Sequence, residues 1–182
     1  MTIANKLTLS RVISVPVVLA VYYLPFPGAH HVAALLFILA SITDLIDGKI
    51  ARKRNEVTSF GKFVDPIADK LLVISMLVAL CGDGKIHAVI TFAVIAREIA
   101  VSGVRLVALS SPQKVVVAAS WLGKVKTNVQ IVTVVLLLLD NKPFAYLGIP
   151  MAQIGVWLTL LVTIWSGLDY IVKYWPVIGE TK

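Results

Sequence analysis

A chain of 182 residues that is 58% hydrophobic and only 15% charged, with a mean hydropathy of +0.89, has more apolar surface than a soluble domain of this size can bury. The single cysteine, Cys81, excludes an internal disulfide and a cysteine-based metal site and reads as a small core residue. The net charge of +7 does not make a nucleic-acid surface, because the basic residues fall between apolar stretches; it suits anionic lipid headgroups and phosphate substrates.

A window of about 20 residues, the length that crosses a bilayer core, finds apolar segments at 7–24, 32–52, 63–81, 86–109, 115–139 and 150–173. The first ends at the turn Pro25-Phe-Pro27-Gly28. Its basic residues, apolar run and small residue near Ala29 imitate a cleavable signal peptide, but an even number of spans requires it to stay. The second and third flank a basic stretch, 53–62, and the third closes at Gly82-Asp-Gly84. The fourth ends at Ser110-Ser-Pro112 and the fifth at Asp140-Asn-Lys-Pro143. Short linkers and no internal repeat predict one all-α domain over residues 1–182, a polytopic membrane protein of six transmembrane helices.

Orientation follows from the basic residues. Lys6, Arg11, Lys49, Arg52, Lys53, Arg54, Lys62, Arg105, Lys114, Lys124, Lys126, Lys173 and Lys182 all fall on one side of that topology. The other side carries only Lys85 and Lys142 in its short loops. The positive-inside rule therefore places both termini in the cytoplasm. Tyr22, Tyr23, Tyr174 and Trp175, at segment ends, read as headgroup anchors; His30, His31 and His87 read as solvated loop residues.

The chemistry concentrates in Asp44-Leu-Ile-Asp47-Gly48-Lys-Ile-Ala51-Arg52 and Gly61-Lys-Phe-Val-Asp65-Pro-Ile-Ala-Asp69. An aspartate at the centre of a membrane helix costs roughly 2.5 to 3.5 kcal/mol, and divalent cations are the obvious compensation. Spacings of three and four put each pair on one helix face, so two antiparallel helices direct Asp44, Asp47, Asp65 and Asp69 into one cleft. Hard cations take oxygen ligands, and two sharing carboxylates clamp the attacking and leaving oxygens of a phosphoryl displacement. Magnesium is the default, with manganese as substitute. Gly48, Gly61 and the small Ala51 let a nucleotide approach the backbone, and Arg52 suits a diphosphate.

Residues 44 to 69 carry the full pattern Asp-x-x-Asp-Gly-x-x-Ala-Arg, eight residues, Gly-x-x-x-Asp-x-x-x-Asp, and the chain thereby resembles the CDP-alcohol phosphatidyltransferase family without departure. The resemblance implies six transmembrane helices, a cytoplasm-facing cleft, a homodimer, and CDP-diacylglycerol as donor at Gly48, Ala51, Arg52 and Gly61. It also implies two magnesium ions on Asp44, Asp47, Asp65 and Asp69, with Asp69 as general base.

Further stretches, Asn5-Lys-Leu-Thr8-Leu-Ser-Arg11, Ala96-Arg97-Glu98-Ile, Ser102-Gly103-Val-Arg105 and Gly123-Lys124-Val-Lys126-Thr127-x-x-Gln130, resemble the members whose acceptor is sn-glycerol 3-phosphate. A phosphorylated acceptor needs cations, and Arg97, Arg105, Lys124 and Lys126, with the hydroxyl of Thr127, fall near the cytoplasmic ends of the fourth and fifth segments. Arg97 and Glu98, adjacent on a helix, are expected to face different directions and to have separate partners. Arg11 is either a flanking charge or part of the site, and Lys114 reads as a flanking charge. Serine and free inositol are disfavoured as acceptors; inositol phosphate and phosphatidylglycerol, the latter giving cardiolipin, stay open. A divalent-cation transporter fits poorly, because the outer halves of the segments carry almost no polar residues to continue a pathway. A purely structural membrane scaffold has no need of the aspartates.

Overall fold

A computed structural model describes residues 3–54, 59–110, 120–142 and 144–179, with side chains described for 12–43, 70–105, 120–142 and 144–174. Among these residues the chain is all helical: α1 (Ile3–Tyr23), α2 (Ala29–Arg54), α3 (Ser59–Gly82), α4 (Ala88–Ser110), α5 (Trp121–Leu138) and α6 (Met151–Gly179), with a short 3-10 helix at Phe144–Leu147. The elements follow the apolar segments because the same Pro, Gly and Asn-containing turns interrupt both. Helices α2 and α3 run further into the basic stretch than its charge suggests, since Arg and Lys are good helix formers; residues 55–58 lie outside the described residues.

Helix α1 packs against both α2 and α3; α2 and α3 also meet α5, α3 meets α4, and α6 closes the bundle against α4 and α5. One half of the interior is apolar, built from Val18, Phe37, Met76, Leu77, Leu80, Val94, Val134 and Leu138, with Cys81 packed at its edge. Elsewhere Glu98, Lys126, Gln130, Thr133, Thr159, Thr163 and Ser166 are buried. The outside is apolar instead: Phe92, Ile99, Leu161, Trp165 and Val172 are each more than half exposed. Two helices, over Trp121–Leu138 and Met151–Tyr174, are long and apolar enough to cross a membrane by length and composition; elsewhere among the described residues the apolar stretches are shorter.

The seam between α5 and α6 is polar and close. Thr133 Oγ1 donates to the Val129 carbonyl at 2.8 Å and stands 3.1 Å from Thr159 Oγ1, while Gln130 Nε2 donates to Thr163 Oγ1 at 3.4 Å. Gly155 faces Thr133 so closely that a Cβ there would lie 2.8 Å from Thr133 Oγ1.

At the end of the bundle where α1, α3 and α5 terminate, two sequence expectations are corrected. Tyr22 is not a headgroup anchor: it is buried, its hydroxyl donates to Asp83 Oδ2 at 2.5 Å, and its ring stacks on His30 at 4.8 Å. His30 is accordingly a half-buried residue of the first turn of α2. A position at a segment end looks the same in sequence whether the ring turns inward or outward. Tyr23 is exposed, Tyr174 packs on Tyr170, and the side chain of Trp175 lies outside the described residues.

After α5, Asp140 and Asn141 adopt left-handed backbone (φ 51° and 63°), which Asp and Asn tolerate better than most side chains. Each is held: Asp140 Oδ1 accepts from Lys85 Nζ at 2.6 Å, and Asn141 reaches the Ile149 carbonyl (2.8 Å) and the Ala152 amide (2.9 Å), capping α6. Burial pushes the Asp140 carboxyl up, but the hydrogen bond and charge of Lys85, with His30 and Lys142, outweigh it and hold the group below the usual carboxylate range.

Candidate functional site

The opposite end of the bundle, where α3 and α5 begin and α4 and α6 finish, holds the polar chemistry. Ser120 caps α5, its Oγ accepting from the Gly123 amide at 3.1 Å, and so fixes the start of the helix that carries Lys124, Lys126 and Thr127. Helix α4 brings Arg97, Glu98 and Arg105 to the same space, and α3 contributes Lys70. Together with Tyr170 of α6 these residues line a cavity of about 390 Å³, within the usual range for small-molecule sites. All five residues predicted to hold a phosphorylated acceptor, Arg97, Arg105, Lys124, Lys126 and Thr127, are on its wall.

Their partners differ. Glu98 is buried and, among the described residues, gathers three cations: Lys70 Nζ at 3.4 Å, Arg97 Nη1 at 3.4 Å, and Lys126 Nζ, which is itself buried. The expectation that Arg97 and Glu98 have separate partners is thus corrected. Their Cβ atoms do diverge, but the long arginine stem lets the guanidinium swing back. Arg97 Nε remains buried and finds no hydrogen-bond partner among the described residues, the kind of vacant donor that suits an anionic ligand. Arg105 Nε donates to Tyr170 Oη at 3.0 Å, and its guanidinium lies over the Tyr170 ring, 5.7 Å from the centroid. Lys124 is exposed at the cavity mouth. The Thr127 hydroxyl donates to the Gly123 carbonyl at 3.1 Å, so its proton is engaged in its own helix.

Three contributors were not legible in the sequence. Lys70 also donates to Ser102 Oγ, whose own proton goes to the Glu98 carbonyl at 2.7 Å; its only signal was its place directly after Asp69. Tyr170 orients Arg105, and Gly167 makes room for Arg97, since a Cβ there would stand 3.2 Å from Arg97 Cγ. Neither carries a sequence signal beyond its place in an apolar helix.

Asp44, Asp47, Gly48, Ala51 and Arg52 fall in the last turns of α2, and Gly61, Asp65 and Asp69 in the first turns of α3, two helices that touch each other. The side chains at these positions, and that of Arg11 in α1, lie outside the described residues. Among the described residues no group of three His, Cys, Asp or Glu is placed to hold a metal ion. Four carboxylates in the last turns of one helix and the first turns of the next are nonetheless a donor set that fits hard divalent cations.

The family model for CDP-alcohol phosphatidyltransferase matches residues 1–165. The chain belongs to the CDP-alcohol phosphatidyltransferase family. Among its relatives, a Bacillus subtilis protein is 42% identical over 98% of this chain and 97% of its own length. A Rickettsia bellii protein is 42% identical over 91% of both chains, and a Salmonella typhimurium protein 42% identical over 93% of this chain and 92% of its own. All three are named CDP-diacylglycerol–glycerol-3-phosphate 3-phosphatidyltransferase. Family membership and the two long apolar helices make this a membrane-associated protein.

Proposed function

We propose that the chain transfers the phosphatidyl group of CDP-diacylglycerol to sn-glycerol 3-phosphate, forming phosphatidylglycerophosphate and CMP for phospholipid biosynthesis. The observation that carries the reading is the cavity lined by Lys70, Arg97, Arg105, Lys124 and Lys126 with one carboxylate, Glu98, among its described residues, on helices continuous with or packed beside the aspartate motif. Such an excess of positive charge suits an acceptor bearing its own phosphate dianion. The names of the three relatives above point to the same donor and acceptor.

In this reading Arg97 offers its vacant Nε, and Arg105, pinned by Tyr170, and Lys124 converge on the acceptor phosphate. Lys126 adds its charge from behind Glu98, and Thr127 takes part only if its hydroxyl leaves the Gly123 carbonyl. Gly48, Ala51, Arg52 and Gly61 receive the CDP-diacylglycerol headgroup. When bound, two magnesium ions on Asp44, Asp47, Asp65 and Asp69, replaceable by manganese, supply the positive charge that offsets the diphosphate. The C1 hydroxyl oxygen of the acceptor bonds to the β-phosphorus, the bond from that phosphorus to the CMP oxygen breaks, and Asp69 takes the hydroxyl proton.

The same reading has six membrane spans, both termini and the cleft on the cytoplasmic side of a bacterial cell membrane, and a homodimer. It is supported by the one-sided placement of basic residues and by the apolar exterior around a polar interior. The deciding experiment is CMP release from CDP-diacylglycerol by the detergent-purified protein with magnesium, comparing glycerol 3-phosphate, phosphatidylglycerol, inositol phosphate and serine. Release with glycerol 3-phosphate alone is expected. Release only with another acceptor refutes the acceptor assignment, and no release with any refutes the transferase reading.

A further inference from the structure

Every cation that Glu98 touches belongs to a different part of the site. Lys70 is the residue after Asp69 on α3, Arg97 is its own neighbour on α4, and Lys126 comes from the second turn of α5. Among the described residues Glu98 is the only acidic one lining the cavity, and it is 6% exposed. A substrate phosphate would not approach a buried carboxylate, so Glu98 acts through the cations it holds. Without it, like charges crowded into one wall would repel and spread apart.

We propose that Glu98 is a positioning residue that fixes the acceptor's phosphate site on α4 and α5 relative to the Asp69 turn of α3, and thereby selects acceptors by the separation of phosphate and reactive hydroxyl. The inference rests on the acceptor reading above. Its geometry is a three-way tie. Glu98 Oε1 meets both Arg97 and Lys126, while Oε2 meets Lys70. The two oxygens of one carboxylate therefore join the phosphate-binding wall to the helix that carries the base. Ser102 reinforces the second arm, accepting from Lys70 while donating to the Glu98 backbone carbonyl. Held at one separation, the wall and the turn favour an acceptor whose phosphate and reactive hydroxyl match it, the three-carbon glycerol 3-phosphate over a homologue one carbon longer.

The test uses the full-length protein in detergent with magnesium and varies glycerol 3-phosphate, its four-carbon homologue erythritol 4-phosphate and CDP-diacylglycerol in turn. Glu98→Gln keeps the shape and removes the charge. Glu98→Asp keeps the charge, shortens the reach, and decides the matter if Glu98→Gln does not fold. In either variant the KM for glycerol 3-phosphate is expected to rise by about tenfold or more, as for loss of a charge-assisted contact. The KM for CDP-diacylglycerol should stay within about twofold, and the preference for the three-carbon over the four-carbon acceptor should narrow by about fivefold or more. Lys85→Met, which breaks the Lys85–Asp140 pair at the far end of the bundle, controls for lost stability and should leave both acceptor constants unchanged. A fall in thermal stability with the glycerol 3-phosphate KM and the acceptor preference unchanged overturns the proposal, as does an equal rise in KM for both substrates. Wild-type protein that releases no CMP with glycerol 3-phosphate removes the acceptor reading and this inference with it, whereas unaffected Glu98 variants in an active enzyme overturn this inference alone.

Discussion

Replacing Gly155 by alanine tests the closeness of α5 and α6 directly. The new methyl would lie 2.8 Å from Thr133 Oγ1 and 3.4 Å from Thr133 Cβ and Cγ2, and Thr133 is 1% exposed with nowhere to retreat. Relief requires either that the helices separate or that Thr133 rotate, giving up its bonds to Val129 and Thr159. Overpacking of this kind costs about 1–3 kcal/mol, and each lost buried hydrogen bond about 1 kcal/mol. Against this, alanine is the better helix former by about 1 kcal/mol. The expected net loss is about 1–3 kcal/mol, read from SDS-titration unfolding of the detergent-purified protein followed by helical circular dichroism. Thr133→Ala removes the clashing atoms, so in that background Gly155→Ala should be neutral or stabilising. A stabilising Gly155→Ala in the wild-type background, or an equal cost in both backgrounds, would refute the packing argument.

Asp69→Asn should abolish CMP release while nucleotide binding, followed by calorimetry with CDP, survives in part; unchanged turnover removes Asp69 as base. Chelation with EDTA should eliminate activity and magnesium restore it, with manganese a weaker substitute; activity that persists in EDTA contradicts the aspartate reading. Arg97→Lys keeps the charge but loses the planar fork, and should raise the glycerol 3-phosphate KM about tenfold with the CDP-diacylglycerol KM little changed, in steady-state assays. At the far end, the Asp140 carboxyl sits below its unfolded value, so the stability it contributes is present above about pH 4, the ordinary value for aspartate, and is lost as pH falls through the lower folded value. Asp140→Asn, which preserves the left-handed backbone, should therefore cost less than about 1 kcal/mol at neutral pH because the pair is half exposed, and nothing in acid. A difference from wild type that does not shrink on acidification would contradict this.

Helix positions were legible because apolar runs and the turns between them leave a strong one-dimensional record, as at Pro25-Phe-Pro27-Gly28 and Asp140-Asn-Lys-Pro143. The grouping of Arg97, Arg105, Lys124, Lys126 and Thr127 was also legible, since all five line one cavity. Legibility failed where a third dimension decides. Nothing in the sequence joins Lys70, Glu98 and Lys126, which come from three helices. The directions of Cβ atoms at Arg97 and Glu98 misled because a flexible stem outreaches them. Tyr22 was misread because only packing tells which way an aromatic ring at a helix end turns.

The shared counter-charge of Glu98 also bears on how such a chain enters a bilayer. Helix α4 carries Arg97, Glu98 and Arg105 within 23 residues, and each charge at mid-membrane costs about 2.5–3.5 kcal/mol for a helix inserted alone. Two of the partners that neutralise Glu98 lie on α3 and α5, so α4 cannot settle by itself. On the six-span reading its insertion is completed only once α5 has left the ribosome, and a chain truncated between them would leave α4 as a poorly retained segment, vulnerable to membrane proteases.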